Sequence, residues 1–403
     1  MTSLSKIFVV RRPSSLPFYC NPIGLFLATW VLMLVCFQFQ VSYVSYPHFS
    51  LAFLIFAISF ISFLLGHISV RLLSTLTKRA NHSMHYQIDM RRLRRFSHFL
   101  GGGALILIVI NLVTSGIPPL FGFFGFDTMN YMFYGKLRQL LFPLLVTLFV
   151  NSLLETSRIR KLFYCSFAFF FLLCYVARGS IMIMLLQALI VFSVRTSIPK
   201  SKIYLIAICG AIGAAFLVDI IGSNRTGDLG FFLYMQIKTE FQQWPTIYTW
   251  IISYISTPLS NLCWLVNTAH FDHVTWSFAY QLMPHFWEPI DPHLDIIETS
   301  KLIDGVHTYL SGYFLDFSYF GIALINLVVG MVSGYCSSAE RISRKFLACS
   351  VFLSSIGFMF FTDFFLYLQT FIEIGIQCLA QWYFIGELLP QQPTAKIQPA
   401  RSN

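Results

Sequence analysis

The chain has 403 residues, of which 56% are hydrophobic and 11% charged, with 44 phenylalanines and a formal net charge of +10. Soluble domains carry roughly 25% charged residues, so this composition excludes an ordinary water-soluble globular protein and predicts a chain that crosses a membrane several times. The positive charge must then be placed along the chain before it can be read as the mark of an anionic partner.

Crossing about 30 Å of hydrocarbon at 1.5 Å per residue needs roughly 17–25 apolar residues. Ten apolar runs approach that length: Pro22–Phe39, Leu51–Val70, Phe99–Ile117, Leu140–Leu154, Leu162–Tyr175, Ile181–Val194, Ile203–Ile221, Phe317–Tyr335, Phe346–Phe361 and Tyr367–Leu388. The fourth and fifth are at the lower limit. The expected architecture is an all-α polytopic membrane protein: seven spans over residues 1–222, a large external loop over 223–306, and three spans over 307–403.

Basic residues alternate sharply between connections, the signal that orients a membrane protein. Under the ten-span reading, 21 of the 27 Lys and Arg residues fall on one side, including Arg71, Lys78, Arg79, Arg91, Arg92, Arg94 and Arg95 between the second and third spans. Both termini are therefore expected in the cytoplasm. Only Asp89, Glu155, Glu340 and Glu387 of the 17 acids share that side. The polar, basic stretch Met1–Pro22 leads into the first span and does not resemble a cleaved signal peptide. Lys136, Arg138, Arg178, Arg225, Lys238 and Lys301 are left on the external side, against the usual bias. The nine cysteines contain no CxxC and sit mostly in apolar runs, which reads as packing. Seven basic residues beside a span suit anionic lipid headgroups, and no nucleic-acid partner is expected.

Two external connections stand out. Gly116–Arg138, with Pro118, Pro119, Gly122, Gly125 and Gly135 among phenylalanines, reads either as a partly re-entrant turn or as a loose apolar loop. Ser223–Val306 is rich in aromatics (Trp244, Tyr248, Trp250, Tyr254, Trp264, Trp276, Tyr280, Trp287), which predicts helices resting at the membrane interface. Pro245, Pro258, Pro284, Pro289 and Pro292 are expected to divide it into short pieces.

Arg178 stands between two apolar runs (CYVARGSIMIM) and Arg225 follows the seventh span (GSNRTGD). Guanidinium groups at a membrane boundary can hold phosphate oxygens bidentately, or can serve lipid headgroups or the nearby Asp219 and Asp228. The large loop carries several histidines and carboxylates, but it has no HExxH, and HFDH at 270–273 lacks a helical carboxylate partner, so no metal is expected. A single histidine as general base fits better, and His307 is the leading candidate. In the last span Gln369, Glu373, Gln377 and Gln381 recur every four residues on one helical face, either as interhelical hydrogen-bond glue or as the lining of a sugar cavity. Asp363 is an alternative base.

From His307 the chain reads HTYLSGYFLDFSYFG to Gly321. This stretch resembles the segment shared by O-antigen ligases and Wzy-type oligosaccharide repeat unit polymerases, in which a His is followed by an acid, a Gly and a second Gly as the span begins. His307, Asp316 and Gly321 match the pattern, and Ser318 stands where the first Gly would be. The layout is similar too: about ten spans, an arginine between the fifth and sixth, another opening one large external loop, and the TSGIPPLFG turn. Some polymerases carry a Gly eleven positions after each arginine; here Leu189 and Gln236 stand there. The resemblance implies a metal-free, cofactor-free membrane glycosyltransferase of the C type, located in a bacterial inner membrane, acting on undecaprenyl-diphosphate-linked oligosaccharide. Arg178 and Arg225, joined by Lys136 and Arg138, would hold the donor diphosphate and His307 would take the acceptor proton. Tyr309, Asp316, Gln369 and Glu373 would support the acceptor side. A chain-length regulator and the pathway's flippase are the implied protein partners. The activity implied is polymerisation of O-antigen-type repeats; a ligase acting on lipid A core and a lipid-linked oligosaccharide flippase are the competing expectations.

Overall fold

The computed structural model describes residues 20–43, 45, 47–76, 85–127, 137–195, 201–202, 204–205, 208, 210, 213, 232–233, 235–268, 308–337, 345–360 and 364–388. Over these the chain is almost wholly helical: α1 (Pro22–Gln38), α2 (Phe49–Leu76), α3 (Met90–Ser115), α4 (Arg138–Ser152), α5 (Arg158–Cys174), α6 (Arg178–Arg195), a single turn α7 (Thr239–Gln242), α8 (Thr246–Thr268), α9 (Ser311–Ser337), α10 (Phe346–Gly357) and α11 (Leu368–Phe384). Strands β1 (His85–Ile88) and β2 (Ile385–Leu388) pair antiparallel, His85 opposite Leu388, and tie the start of α3 to the end of α11.

Phe49–Ser74, Met90–Ser115 and Ser311–Cys336 are each 26 residues long and apolar enough to cross a membrane. Their outer faces agree: Leu73 on α2 is 64% exposed, Phe99 on α3 74% and Phe320 on α9 68%. Such a belt of large apolar side chains is not tolerated in water but is what lipid tails require. The chain is a helical membrane protein. Helices of the shorter class, Pro22–Gln38, Arg138–Ser152, Arg178–Ser193 and Phe346–Gly357, are apolar as well.

Several expected boundaries move. The helix expected over Phe99–Ile117 begins at Met90, because Asp89 caps it through Arg91 N (2.9 Å) and Arg92 N (3.2 Å). Its first turns carry four arginines, which a hydropathy run excludes although the helix continues through them. The last helix stops at Phe384, where β2 takes over. The seventh expected run, 203–221, lies largely outside the described residues. The large loop differs most. Pro258 does not divide it: α8 is one 23-residue helix with Pro258 inside it. Most of α8 beyond Thr249 is buried, so packing on all sides sustains the helix where an exposed one would break. Trp250 is buried and Trp264 packs against the core, whereas Trp244 and Tyr248 remain exposed as interfacial residues would.

The core forms two apolar clusters. One joins α1, α2, α8, α9 and α10 around Phe26, Trp30, Phe63, Leu259, Phe314 and Met359; the other joins α3, α4, α5, α6, α10 and α11 around Leu141, Leu145, Leu172, Met184, Leu347 and Phe384. Helix α9 lies against α2 so closely that a Cβ on Gly66 would run into the carbonyl oxygen of Leu327, and one on Gly330 into that of Phe63. Gly334 faces the His67 carbonyl in the same way. Small residues that let backbones touch, with polar side chains as glue, are how helices associate where lipid is the solvent; the glue here is His67 Nδ1 to Ser333 Oγ at 2.7 Å.

Contacts between connections sort into two ends of the bundle. At one, β1 meets β2, and Arg94 on the first turns of α3 grips Glu155 between α4 and α5. At the other, the turn after α1 bridges to Ile237 through Ser42, and the start of α9 meets the end of α10 through Tyr309 N to Met359 O at 3.3 Å.

Candidate functional site

The second end carries the described candidate residues of the donor side. Arg178 is the first residue of α6, reached from α5 through a three-residue turn. That turn closes with Val176 N on Leu173 O (2.8 Å), Ala177 N on Leu172 O (3.0 Å) and Arg178 N on Val176 O (2.9 Å). It forces Val176, a buried β-branched residue, to φ +52°, a left-handed conformation such residues avoid. The half-buried Arg178 guanidinium lies 5.9 Å from the ring centroid of Tyr254 on α8, and Tyr254 stacks on Trp250 at 5.1 Å and 11°. A cation–π contact of this kind holds the guanidinium beside the ring and consumes none of its N–H donors. Trp250 and Tyr254 are one helical turn apart, a spacing present in the sequence but hidden there by the reading of the loop as short interfacial pieces.

Arg138 opens α4 as Arg178 opens α6. The two helices pack side by side and run the same way, since one antiparallel helix separates them. Phe142, one turn into α4, meets Tyr175, three residues ahead of Arg178, at 5.9 Å between ring centroids. Two helix N-termini, each with its partial positive charge and each opened by an arginine, therefore sit at one end of the bundle, a combination suited to an anion with several phosphate oxygens.

The stretch after position 307 has its own distortion. Helix α9 is broken at Ser318, which adopts φ +56°, ψ −146°, a region essentially restricted to glycine. The break folds the longer part of the helix against the shorter, so that a Cβ on Gly321 would strike the Tyr313 carbonyl oxygen. Asp316 is buried two residues ahead of the break. Tyr309 is buried as well: its hydroxyl donates to Asn326 Oδ1 at 2.6 Å, and Asn326 Nδ2 in turn donates to Ile322 O at 2.8 Å. Tyr309 is thus engaged in fastening the entrance of α9 across its own break, a structural duty beside the acceptor-side role expected of it. All four non-glycine residues with positive φ among the described residues, Gln40, Val176, Gln236 and Ser318, lie at this end of the molecule.

On α11, Gln369 is half-buried and donates from Nε2 to the Tyr367 hydroxyl at 3.1 Å. Glu373, Gln377 and Gln381 are buried in the bundle. Gln381 acts as glue, accepting from Leu347 N at 2.9 Å and donating to Gln377 O at 3.0 Å. Glu373 interacts with the side chain of Gln187 on α6, whose Nε2 also donates to Ser354 Oγ on α10 at 3.3 Å. Gln187 and Ser354 are not residues the sequence pattern singles out. His307, Arg225, Lys136 and Asp363 lie outside the described residues, so of the expected diphosphate group the structure describes Arg138 and Arg178, each at the N-terminus of one of two helices that pack on each other.

No family model, curated protein or solved structure matches this chain.

Proposed function

We propose that this protein polymerises undecaprenyl-diphosphate-linked oligosaccharide repeats at the external face of a bacterial inner membrane, as a C-type glycosyltransferase of about ten spans with both termini in the cytoplasm. The observation that carries this reading is the pair of arginine-opened helix N-termini, Arg138 on α4 and Arg178 on α6, at the end of the bundle opposite the arginine-rich start of α3. A site for a lipid-linked diphosphate needs fixed positive charge at the membrane boundary on the side that orientation leaves poor in it.

The resemblance at 307–321 receives separate support from the backbone. Ser318 stands where the related pattern has its first Gly and holds a glycine conformation; Gly321, the second Gly, is at a position where a side chain has no room. In the proposed step the acceptor sugar hydroxyl attacks the anomeric carbon of the lipid-linked donor. The new C–O bond forms as the bond to undecaprenyl diphosphate breaks, His307 takes the hydroxyl proton, and the diphosphate leaves as an anion stabilised by Arg178, Arg138, Lys136 and Arg225. Tyr254 keeps Arg178 in place for that charge.

A deletion strain tests the assignment. Lipopolysaccharide capped with a single repeat, restored to a ladder by the wild-type gene and by neither Arg178→Ala nor His307→Ala, supports it. Long lipid-linked polymer accumulating beside bare core would instead assign ligation and overturn it.

A further inference from the structure

Where α4, α6 and α11 meet, the bundle buries more polar chemistry than it satisfies. Thr147 and Asn151 lie one turn apart on α4, Glu373 and Gln377 one turn apart on α11, and Gln187 on α6; all are at most 5% exposed. The Oγ of Thr147, both terminal atoms of Asn151, the Oε1 of Gln187, the Oε1 of Glu373 and both terminal atoms of Gln377 have no hydrogen-bond partner among the described residues. Helix α4 packs on both α6 and α11, and the Gln187 side chain reaches Glu373. A buried polar group left without a hydrogen bond is costly, so a concentration of them in one seam calls for an occupant. Polar and ionisable groups inside a membrane commonly mark a bound ion or a pathway.

The chemistry of the seam narrows the occupant. Two of the orphaned atoms, Asn151 Nδ2 and Gln377 Nε2, are donors that turn away from any cation; the five orphaned acceptors are oxygens, one carboxylate, three amides and a hydroxyl, with no imidazole or thiolate among them, and such hard ligands suit alkali and alkaline-earth cations over transition metals. The seam has one acidic group. The two ion pairs described, Arg92 with Asp89 and Arg94 with Glu155, both lie elsewhere. A single carboxylate charge is neutralised by a monovalent cation, whereas a divalent one would leave a net positive charge in a dry interior. A proton on Glu373 would also cancel the charge, but it satisfies only one of the waiting oxygens.

We propose that this seam binds one monovalent cation of sodium size, held by Glu373 Oε1 with the amide oxygens of Gln187 and Gln377 and walled by Thr147 and Asn151 of α4. The cation ties α11 to α4 and α6 and is independent of the donor site. Purified full-length protein in detergent at pH 8 is melted in NaCl, in KCl and in N-methyl-D-glucamine chloride at equal ionic strength. Sodium raises Tm by about 3–5 °C over the organic cation, as expected of a ligand held well above its dissociation constant, and Glu373→Gln and Gln377→Leu each abolish the difference. If Glu373→Gln does not fold, equilibrium dialysis of the wild type with radioactive sodium decides, with one ion bound per chain expected and Gln377→Leu as the control. No sodium effect in the wild type, a response to pH alone, or an effect that survives both substitutions overturns the site. Neither readout depends on glycosyl transfer, so failure here leaves the proposed activity standing, and the reverse.

Discussion

The α2–α9 contact and the α4–α6–α11 seam are both buried interfaces between apolar helices, and they treat polar groups in opposite ways. Between α2 and α9 the backbones touch through Gly66, Gly330 and Gly334, and the buried polar pair there, His67 with Ser333, satisfies itself at 2.7 Å. In the seam the helices stand behind larger side chains, and amides, a hydroxyl and a carboxyl are buried with atoms that find no partner among the described residues. The first arrangement is complete without anything else. The second leaves buried polar atoms without partners among the described residues, which is why we propose an occupant for it and none for the first.

The largest expected effect is on the complete interface. Gly330→Val drives a branched side chain into the Phe63 carbonyl, and overpacking of backbone against backbone has no side chain that can yield, so a loss of about 3 kcal/mol or more is expected. The measurement is the yield of monodisperse protein after extraction; a normal yield and Tm would mean that the two helices are not pressed together as described. Arg178→Ala should do the reverse, leaving Tm unchanged while polymer formation falls about 100-fold, the usual cost of removing one preorganised charge from a developing anion. Arg178→Lys should recover little, because an ammonium does not bind phosphate bidentately.

Glu155 offers a pH-dependent case at the opposite end. Its carboxylate accepts from Arg94 Nε at 3.2 Å, Thr156 N at 2.9 Å and Ser157 N at 3.1 Å. Burial alone would push its carboxyl up, but the Arg94 guanidinium and these N–H groups outweigh it and hold the group below its ordinary 4.5. A carboxyl with a depressed folded value stabilises the fold above the unfolded value and loses that contribution as pH falls through the folded one. Glu155→Gln should therefore cost about 2 kcal/mol at pH 7, with the gap to wild type closing below about pH 4 in melting curves. A gap that stays constant would show that the carboxylate charge plays no part. The smallest effect is a gain: Ser318→Gly relieves a positive φ and should raise stability by about 1 kcal/mol, while Ser318→Val should lower it. Equal Tm values for all three side chains would place the break elsewhere.

Much of the helical layout was legible because hydrophobic runs are strong signals in an apolar chain. The α2–α9 contact has a mark that hydropathy runs pass over: GMVSG at 330–334 has the spacing of small residues at which membrane helices approach. The strained turn at Val176 and the break at Ser318 were not legible, because a β-branched residue and a serine at positive φ contradict local propensity and are imposed by packing. Helix α8 was hidden by Pro258, whose usual effect is overridden when neighbours enclose the helix. The polar face of α11 was visible as Gln369, Glu373, Gln377 and Gln381, but which of these is glue depends on the partners: Leu347 satisfies Gln381, and Gln187 with Ser354 surrounds Glu373. Those partners come from helices far apart in the chain, and no periodicity reports them.

The most direct test of the central claim is extension of a lipid-linked repeat by the purified protein in detergent, with no sealed compartment. Wild-type protein should give a ladder of undecaprenyl-diphosphate-linked products and equally well-folded Arg178→Ala almost none. No ladder from folded wild-type protein supplied with its own repeat unit, or equal ladders from both, would contradict it.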